Sequence, residues 1–194
     1  SLLNLAVVYS RQGKYSKALA LYNQSLEILA DINGPRHVSV GRVLNTIGIV
    51  YYRLGDFPYA ICYSERGLEI LEAGHGKYHP HVAEALNFLG FMYRDHGNLE
   101  KAKKVLEHSL EIKEKVFNAE HFIVGEALND LGVVYTRLGE TEKAVKVLGR
   151  ALDTFKRTWG EKHTAVLTTQ NSLGAAFCAI GKPEKAIELH QEAL

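Results

Sequence analysis

An all-α solenoid of antiparallel helix pairs is the fold class this sequence predicts, and three columns of residues predict it. Glycine stands at residues 13, 55, 97, 139 and 181, a constant interval of 42. Each of these glycines is followed at one fixed offset by alanine (Ala18, Ala60, Ala102, Ala144, Ala186) and preceded at another by an aromatic ring (Tyr9, Tyr51, Tyr93, Tyr135, Phe177). Self-similarity at such a period marks stacked units, each burying its apolar face on its neighbours and leaving long surfaces for partners. The expectation is a binding protein rather than a catalyst.

The elements follow in order within each copy. In the second, Leu44, Ile47, Gly48 and Tyr51 are spaced to share one stripe of a helix, here termed helix A. Gly55 follows the last periodic residue, where a left-handed backbone ends helices, and Asp56 offers an N-cap for the next. Helix B then carries Ala60, Ile61, Tyr63, Ser64, Gly67, Leu68 and Leu71, with Leu26, Leu68, Leu110, Leu152 and Leu194 in one column. Small residues in helix A (Ala6, Gly48, Gly90, Gly132, Gly174) face the alanine column of helix B, which lets the two helices approach closely. Pro35 and Pro80 fall between repeats, while Pro58 and Pro183 fall in the first turn of helix B, so no proline interrupts a helix interior.

The chain opens inside one helical pattern and stops at Leu194 inside another. We expect one array of about four and a half repeats, with approximate bounds 1–37, 38–79, 80–121, 122–163 and 164–194, cut from a longer protein. Twenty-three basic and twenty-two acidic residues give a formal charge of +1, so no broad positive field exists to hold nucleic acid. No apolar run reaches the length of a membrane span, and no signal segment opens the chain, which predicts a cytoplasmic protein without membrane contact. Cys62 and Cys178 are three repeat steps of roughly 10 Å apart, too far for a disulfide.

The segments Leu86-Asn87-Phe88-Leu89-Gly90 and Gly76-Lys77-Tyr78-His79-Pro80, with Tyr93, Gly97 and Ala102 and the matching Leu131-Gly132, Tyr135, Gly139 and Ala144, resemble a tetratricopeptide repeat. The 42-residue period is similar to that of the arrays in kinesin light chains and nephrocystin-3-like proteins. The resemblance covers the whole chain and implies a right-handed superhelix whose helix A surfaces line a concave face. Two departures stand out. Leu3 occupies the place of the later asparagines, with Asn4 one residue out of register. Before the inter-repeat glycine, where the family has an apolar residue, the chain has Asn33, His75, Phe117 and Trp159. Phe117 and Trp159 are expected in the core, and looser connections are expected in the first two copies.

On the helical wheel Arg42, Asn45, Ile49, Tyr52 and Arg53 point away from helix B. Across copies this face carries an asparagine column (Asn45, Asn87, Asn129, Asn171) beside Val7, Ile49, Phe91 and Val133. An amide both donates and accepts, so the ladder is able to bond an extended peptide backbone without reading its side chains; the alternative is that it bonds neighbouring helices and fixes the superhelical twist. Ile49, Tyr52 and Phe91 would form apolar pockets. Arg11, Arg53, Arg94 and Arg137 would favour acidic or aromatic-acidic motifs, offset by Glu84, Asp95, Glu126 and Asp130 nearby. The carboxylate clamp of chaperone-binding repeats is not recognisable, because asparagine stands at its lysine position.

The column His37, His79, His121 and His163 places one imidazole per repeat, about 10 Å apart, whereas zinc needs ligands at about 2.0–2.1 Å. A cap or turn contact before helix A is expected there instead. No hydrolytic triad, phosphate-cradling loop or zinc signature is apparent, so neither a cofactor nor catalysis is expected. The leading reading is a module that captures an extended segment of a partner protein. The competing reading is a structural scaffold or a homodimer formed through exposed solenoid ends.

Overall fold

The computed structural model describes residues 1–192, and among them places ten helices and no strand. Leu194, the last member of the helix B leucine column, lies outside the described residues. The helices fall into two compact units, Ser1–Gly97 and the chain from Asn98 onward. The first holds α1 (Leu2–Arg11), α2 (Tyr15–Asn33), α3 (Val38–Leu54), α4 (Phe57–His75) and α5 (Pro80–Asp95). The second holds α6 (Leu99–Val116), α7 (Phe122–Leu138), α8 (Thr141–Trp159), α9 (Thr164–Ala179) and α10 (Pro183–Glu192).

In the first unit Gly55 ends α3 in the left-handed region at φ +80°, and Asp56 accepts from the Tyr59 amide to start α4. The chain reverses there, and the two helices meet along their small residues. A Cβ on Gly48 would lie 2.9 Å from the Ala60 carbonyl oxygen, and one on Gly67 only 2.8 Å from the Gly41 carbonyl oxygen and 3.0 Å from the Asn45 nitrogen. This contact of backbone on backbone presses α3 against α4. Its other face meets α2: Ala18 and Tyr22 pack with Val43 and Ile47 in one cluster, and Val40, Leu44 and Ile70 form a second beside Leu26 and Leu29.

The second unit repeats the plan with different side chains. Gly139 ends α7 at φ +77°. Leu148 stands opposite Gly132, where the first unit has Ser64 opposite Gly48, and Phe155 fills the space over Gly125. Leu106, Ile112, Leu128, Leu131 and Leu148 are fully buried.

Tyrosines of α5 and α7 tie these helices to the preceding helix B. The Tyr93 hydroxyl donates to Glu65, and Tyr135 donates to Glu107 at 2.7 Å. Burial first, and the carboxylate second, hold both phenols well above the ordinary tyrosine range. Ion pairs add to this in the second unit, between Lys103 and Glu140 at 2.7 Å, Arg150 and Glu114 at 2.9 Å, and Arg157 and Glu120 at 2.5 Å.

The histidine column is a set of helix caps. Nδ1 of His37, His79, His121 and His163 accepts from the backbone amide two residues on, at the starts of α3, α5, α7 and α9. An accepting Nδ1 carries no proton, so each imidazole is the Nε2–H tautomer. This arrangement corrects the expectation for Phe117 and Trp159. Phe117 is only half-buried and Trp159 is 36% exposed: Phe117 stacks on its capping imidazole, while Trp159 stacks on Phe155 and lies tilted against its own. Their rings lie 4.8 Å from His121 and 4.4 Å from His163. His75 stacks likewise on His79 at 4.0 Å, and Asn33 reaches Ser39 Oγ at 3.4 Å. Pro80, expected between repeats, is the first residue of α5, where its missing N–H costs no intrahelical bond.

Candidate functional site

The first unit contains a groove of about 410 Å³ between α1, α3 and α5. Its walls follow from the helical period. α3 contributes Arg42, Asn45, Thr46 and Ile49, α1 contributes Asn4 and Val7, and α5 contributes His81, Glu84 and Phe88. Asn45 is only 9% exposed, because its backbone lies against Gly67 of α4, yet its side chain reaches the groove. Its Oδ1 is buried and has no hydrogen-bond partner. A buried amide oxygen left unpaired costs about 1–3 kcal/mol.

Charge is divided between the walls. The Arg42 guanidinium is exposed on the α3 side and makes no ion pair among the described residues, while its backbone carbonyl accepts from Thr46 Oγ1 at 3.0 Å. On the α5 side His81 Nδ1 lies 3.8 Å from Glu84. A ligand lying across the groove therefore meets a free cation on one flank and a carboxylate on the other.

Of the residues that the sequence placed on this face, the groove brings together Val7, Arg42, Asn45 and Ile49. Tyr52, Phe91 and Arg94 instead gather in a second cluster of the same unit. The Tyr52 hydroxyl donates to Asp95 at 2.5 Å, Arg94 Nε donates to the same carboxylate at 2.7 Å, and the Arg94 guanidinium lies 5.2 Å over the Phe91 ring. Burial, then the bond to Asp95, raises the Tyr52 phenol. Arg53 is exposed in the last turn of α3, and Asn87 is half-buried on α5. In the second unit Asn129 is half-buried with a buried, unpaired Oδ1, Asn171 is exposed on α9, and Arg137 is exposed in the last turn of α7. One column thus spans environments from buried to open.

Thr46, Phe88 and Asn4 were not singled out from sequence as ligand-facing. The signal was present: all three occupy one 42-residue column, next to the asparagines. Among the described residues no group of three or more histidine, cysteine or acidic side chains is placed to hold a metal ion, and no helix is long and apolar enough to cross a membrane.

A profile of the tetratricopeptide repeat family matches residues 1–73, 60–115, 81–157 and 123–194. Comparison with curated proteins finds no match. Among solved structures the chain is similar to the nearly identical TPR-like repeats of a kinesin light chain-like protein from Podosopora anserina, at TM-score 0.86 and 23% identity, covering 99% of this chain and 91% of that one. BtubC (BKLC) from P. vanneervenii gives TM-score 0.88 at 22% identity, with 97% and 75% covered. A Rap protein complexed with Competence and Sporulation Factor gives 0.74 at 19% identity, with 99% and 52% covered. At these identities the likeness is one of fold.

Proposed function

Because the chain belongs to the tetratricopeptide repeat family, we propose that it is a protein-interaction module whose first-unit groove holds an extended segment of a partner protein. The observation that carries this reading is the unpaired, buried Oδ1 of Asn45 at the groove wall. Rotation of the Asn45 amide into the groove would relieve that cost: a backbone N–H of an extended peptide is a donor of the required kind, and the amide's own N–H2 is able to return a bond to the peptide carbonyl. Ile49, Val7 and Phe88 supply apolar contact, and Arg42 selects an acidic side chain. In this groove Arg42 takes the role that sequence assigned to Arg53, Arg94 and Arg137: Arg94 is engaged by Asp95, Arg53 is not part of the lining, and Arg137 lies in the second unit. The similarly folded Rap protein in complex with Competence and Sporulation Factor supports the reading by analogy. No catalytic step is assigned to the chain, and its two free, exposed cysteines suit a reducing, cytoplasmic setting.

The test is a screen of linear peptide libraries against the chain and its Asn45→Leu and Arg42→Ala variants. Removal of an unpaired buried amide leaves folding stability unchanged or raised. Peptide affinity is expected to drop at least tenfold in Asn45→Leu, and selection for acidic residues to vanish in Arg42→Ala. Binding that is unaltered in a folded Asn45→Leu variant would sink the groove mechanism.

A second reading, self-association, is favoured by a separate observation. Leu5 and Val8 of α1 are 45% and 48% exposed, whereas Ile47 and Val50 in the same columns are 0% and 1% exposed beneath α2. A face with the composition of an internal repeat contact is one that a second copy, or a preceding repeat, would cover. Mass measured by light scattering across concentration decides it: a constant monomer mass excludes the dimer, and loss of a dimer in Leu5→Glu supports it.

A further inference from the structure

Three imidazoles meet where α4 hands over to α5. His75 ends α4, His79 caps α5, and His81 lies in its first turn. The His75 and His79 rings stack at 4.0 Å with 7° between their planes, and His81 lies 5.1 Å from His79 and 5.6 Å from His75. His79 Nδ1 accepts from the His81 amide at 3.1 Å, which fixes it unprotonated at that nitrogen. At the other junctions the residue in the His75 column is Asn33, Phe117 or Trp159, so among the described residues the stacked partner of a capping histidine is itself titratable only here.

We propose that the His75–His79–His81 cluster is an acid-sensitive latch: neutral, it clamps the end of α4 onto the start of α5; protonated at His75, it lets the junction part and shifts the groove wall that carries His81 and Glu84. The surroundings of His75 supply the force. Arg42 faces it from α3, His79 and His81 face it from α5, and the connecting loop carries Lys77 and Tyr78. The acid at this end of α5, Glu84, lies beside His81. Burial first, and then His79, His81 and Arg42, hold His75 below the ordinary imidazole value. A lowered value in the fold means that the unfolded chain takes up the proton first. Stability is therefore intact above about pH 6.5 and falls as the pH drops below it. The latch does not depend on what the groove binds.

Hydrogen exchange reads the junction directly, because the amides of Val82 and Ala83 bond to the His79 carbonyl while those of Val124 and Gly125 bond to the His121 carbonyl in the corresponding place. After correction for intrinsic exchange, protection of Val82 and Ala83 is expected to fall at least tenfold more than that of Val124 and Gly125 between pH 7.5 and 5.0. The His75→Phe variant installs the side chain found at Phe117, keeps the stack and removes the titration. It is expected to hold the two junctions within about twofold of each other. Should that variant fail to fold, His75→Asn, matching Asn33, serves in its place. Equal loss of protection at both junctions in the parent chain, or an undiminished acid response in the folded variant, overturns the proposal.

Discussion

The substitution Gly67→Ala probes the contact that positions Asn45. The added methyl would lie 2.8 Å from the Gly41 carbonyl oxygen and 3.0 Å from the Asn45 nitrogen, both of them backbone atoms of α3 that no rotamer change is able to move. Relief requires α3 and α4 to separate until these contacts lengthen to roughly 3.4 Å, loosening a close-packed interface. Overpacking of this kind costs about 1–3 kcal/mol, and alanine returns about 1 kcal/mol through helix propensity. With rigid obstacles on two sides the upper part of the range applies, leaving a net loss of about 1–2 kcal/mol. For a chain of 194 residues this lowers the melting midpoint by about 2–8 °C. Gly149→Ala is the control: it also lies inside a helix, but nothing stands within 4 Å of the new methyl, so a gain of about 0.5–1 kcal/mol is expected. Thermal melts followed by circular dichroism measure both. A Gly67→Ala midpoint equal to or above that of the parent would refute the argument that backbone contact sets the spacing of α3 and α4.

Three further outcomes are expected. His121→Ala removes the side-chain acceptor at the start of α7 and the ring on which Phe117 stacks, and should cost about 1 kcal/mol in a denaturant titration, most of it restored by His121→Asn. Tyr135→Phe deletes a half-buried hydrogen bond to a carboxylate and should cost about 1.5–3 kcal/mol, with Tyr51→Phe, whose ring stacks on Tyr59 and Tyr63, nearer neutral. In alkaline titration followed by tyrosinate absorbance, Tyr93 and Tyr135 should ionise only above the ordinary tyrosine range, because burial and the paired glutamates favour the neutral phenol. Stability contributed by that neutral form is complete below about pH 10 and is lost as the pH rises beyond it.

The helix pairs were legible because their signals are local. Gly55 and Gly139 end helices with a backbone that other residues rarely adopt, while Asp56 and the four histidines each cap the start of a helix. Three other matters depend on neighbours that a column does not reveal. Trp159 reads as a core residue by hydrophobicity, yet its ring, stacked on Phe155 and tilted against the cap at His163, stays 36% exposed. Tyr52 and Arg94 lie on the face that the wheel assigns them, but Asp95, at the far end of the next helix A, engages both. Asn45 and Asn171 are indistinguishable by period, yet Asn45 is buried with its backbone against Gly67 and Asn171 is exposed. Identical spacing fixes direction, while burial depends on what each copy places opposite.

The side-chain ties between helices also bear on how such a chain folds and yields. Tyr93 to Glu65 and Tyr135 to Glu107 close spans of 28 residues, Arg150 to Glu114 and Arg157 to Glu120 spans of 36 and 37, and Tyr52 to Asp95 a span of 43. Loops of this size close early and at low entropic cost, which puts the chain in the fast regime of folding topologies. Stretched from its two ends, a molecule wired in this manner has few long-range ties to break at once. It should yield in short successive lengths, each about one repeat long, and regain them in the same increments when the load is released.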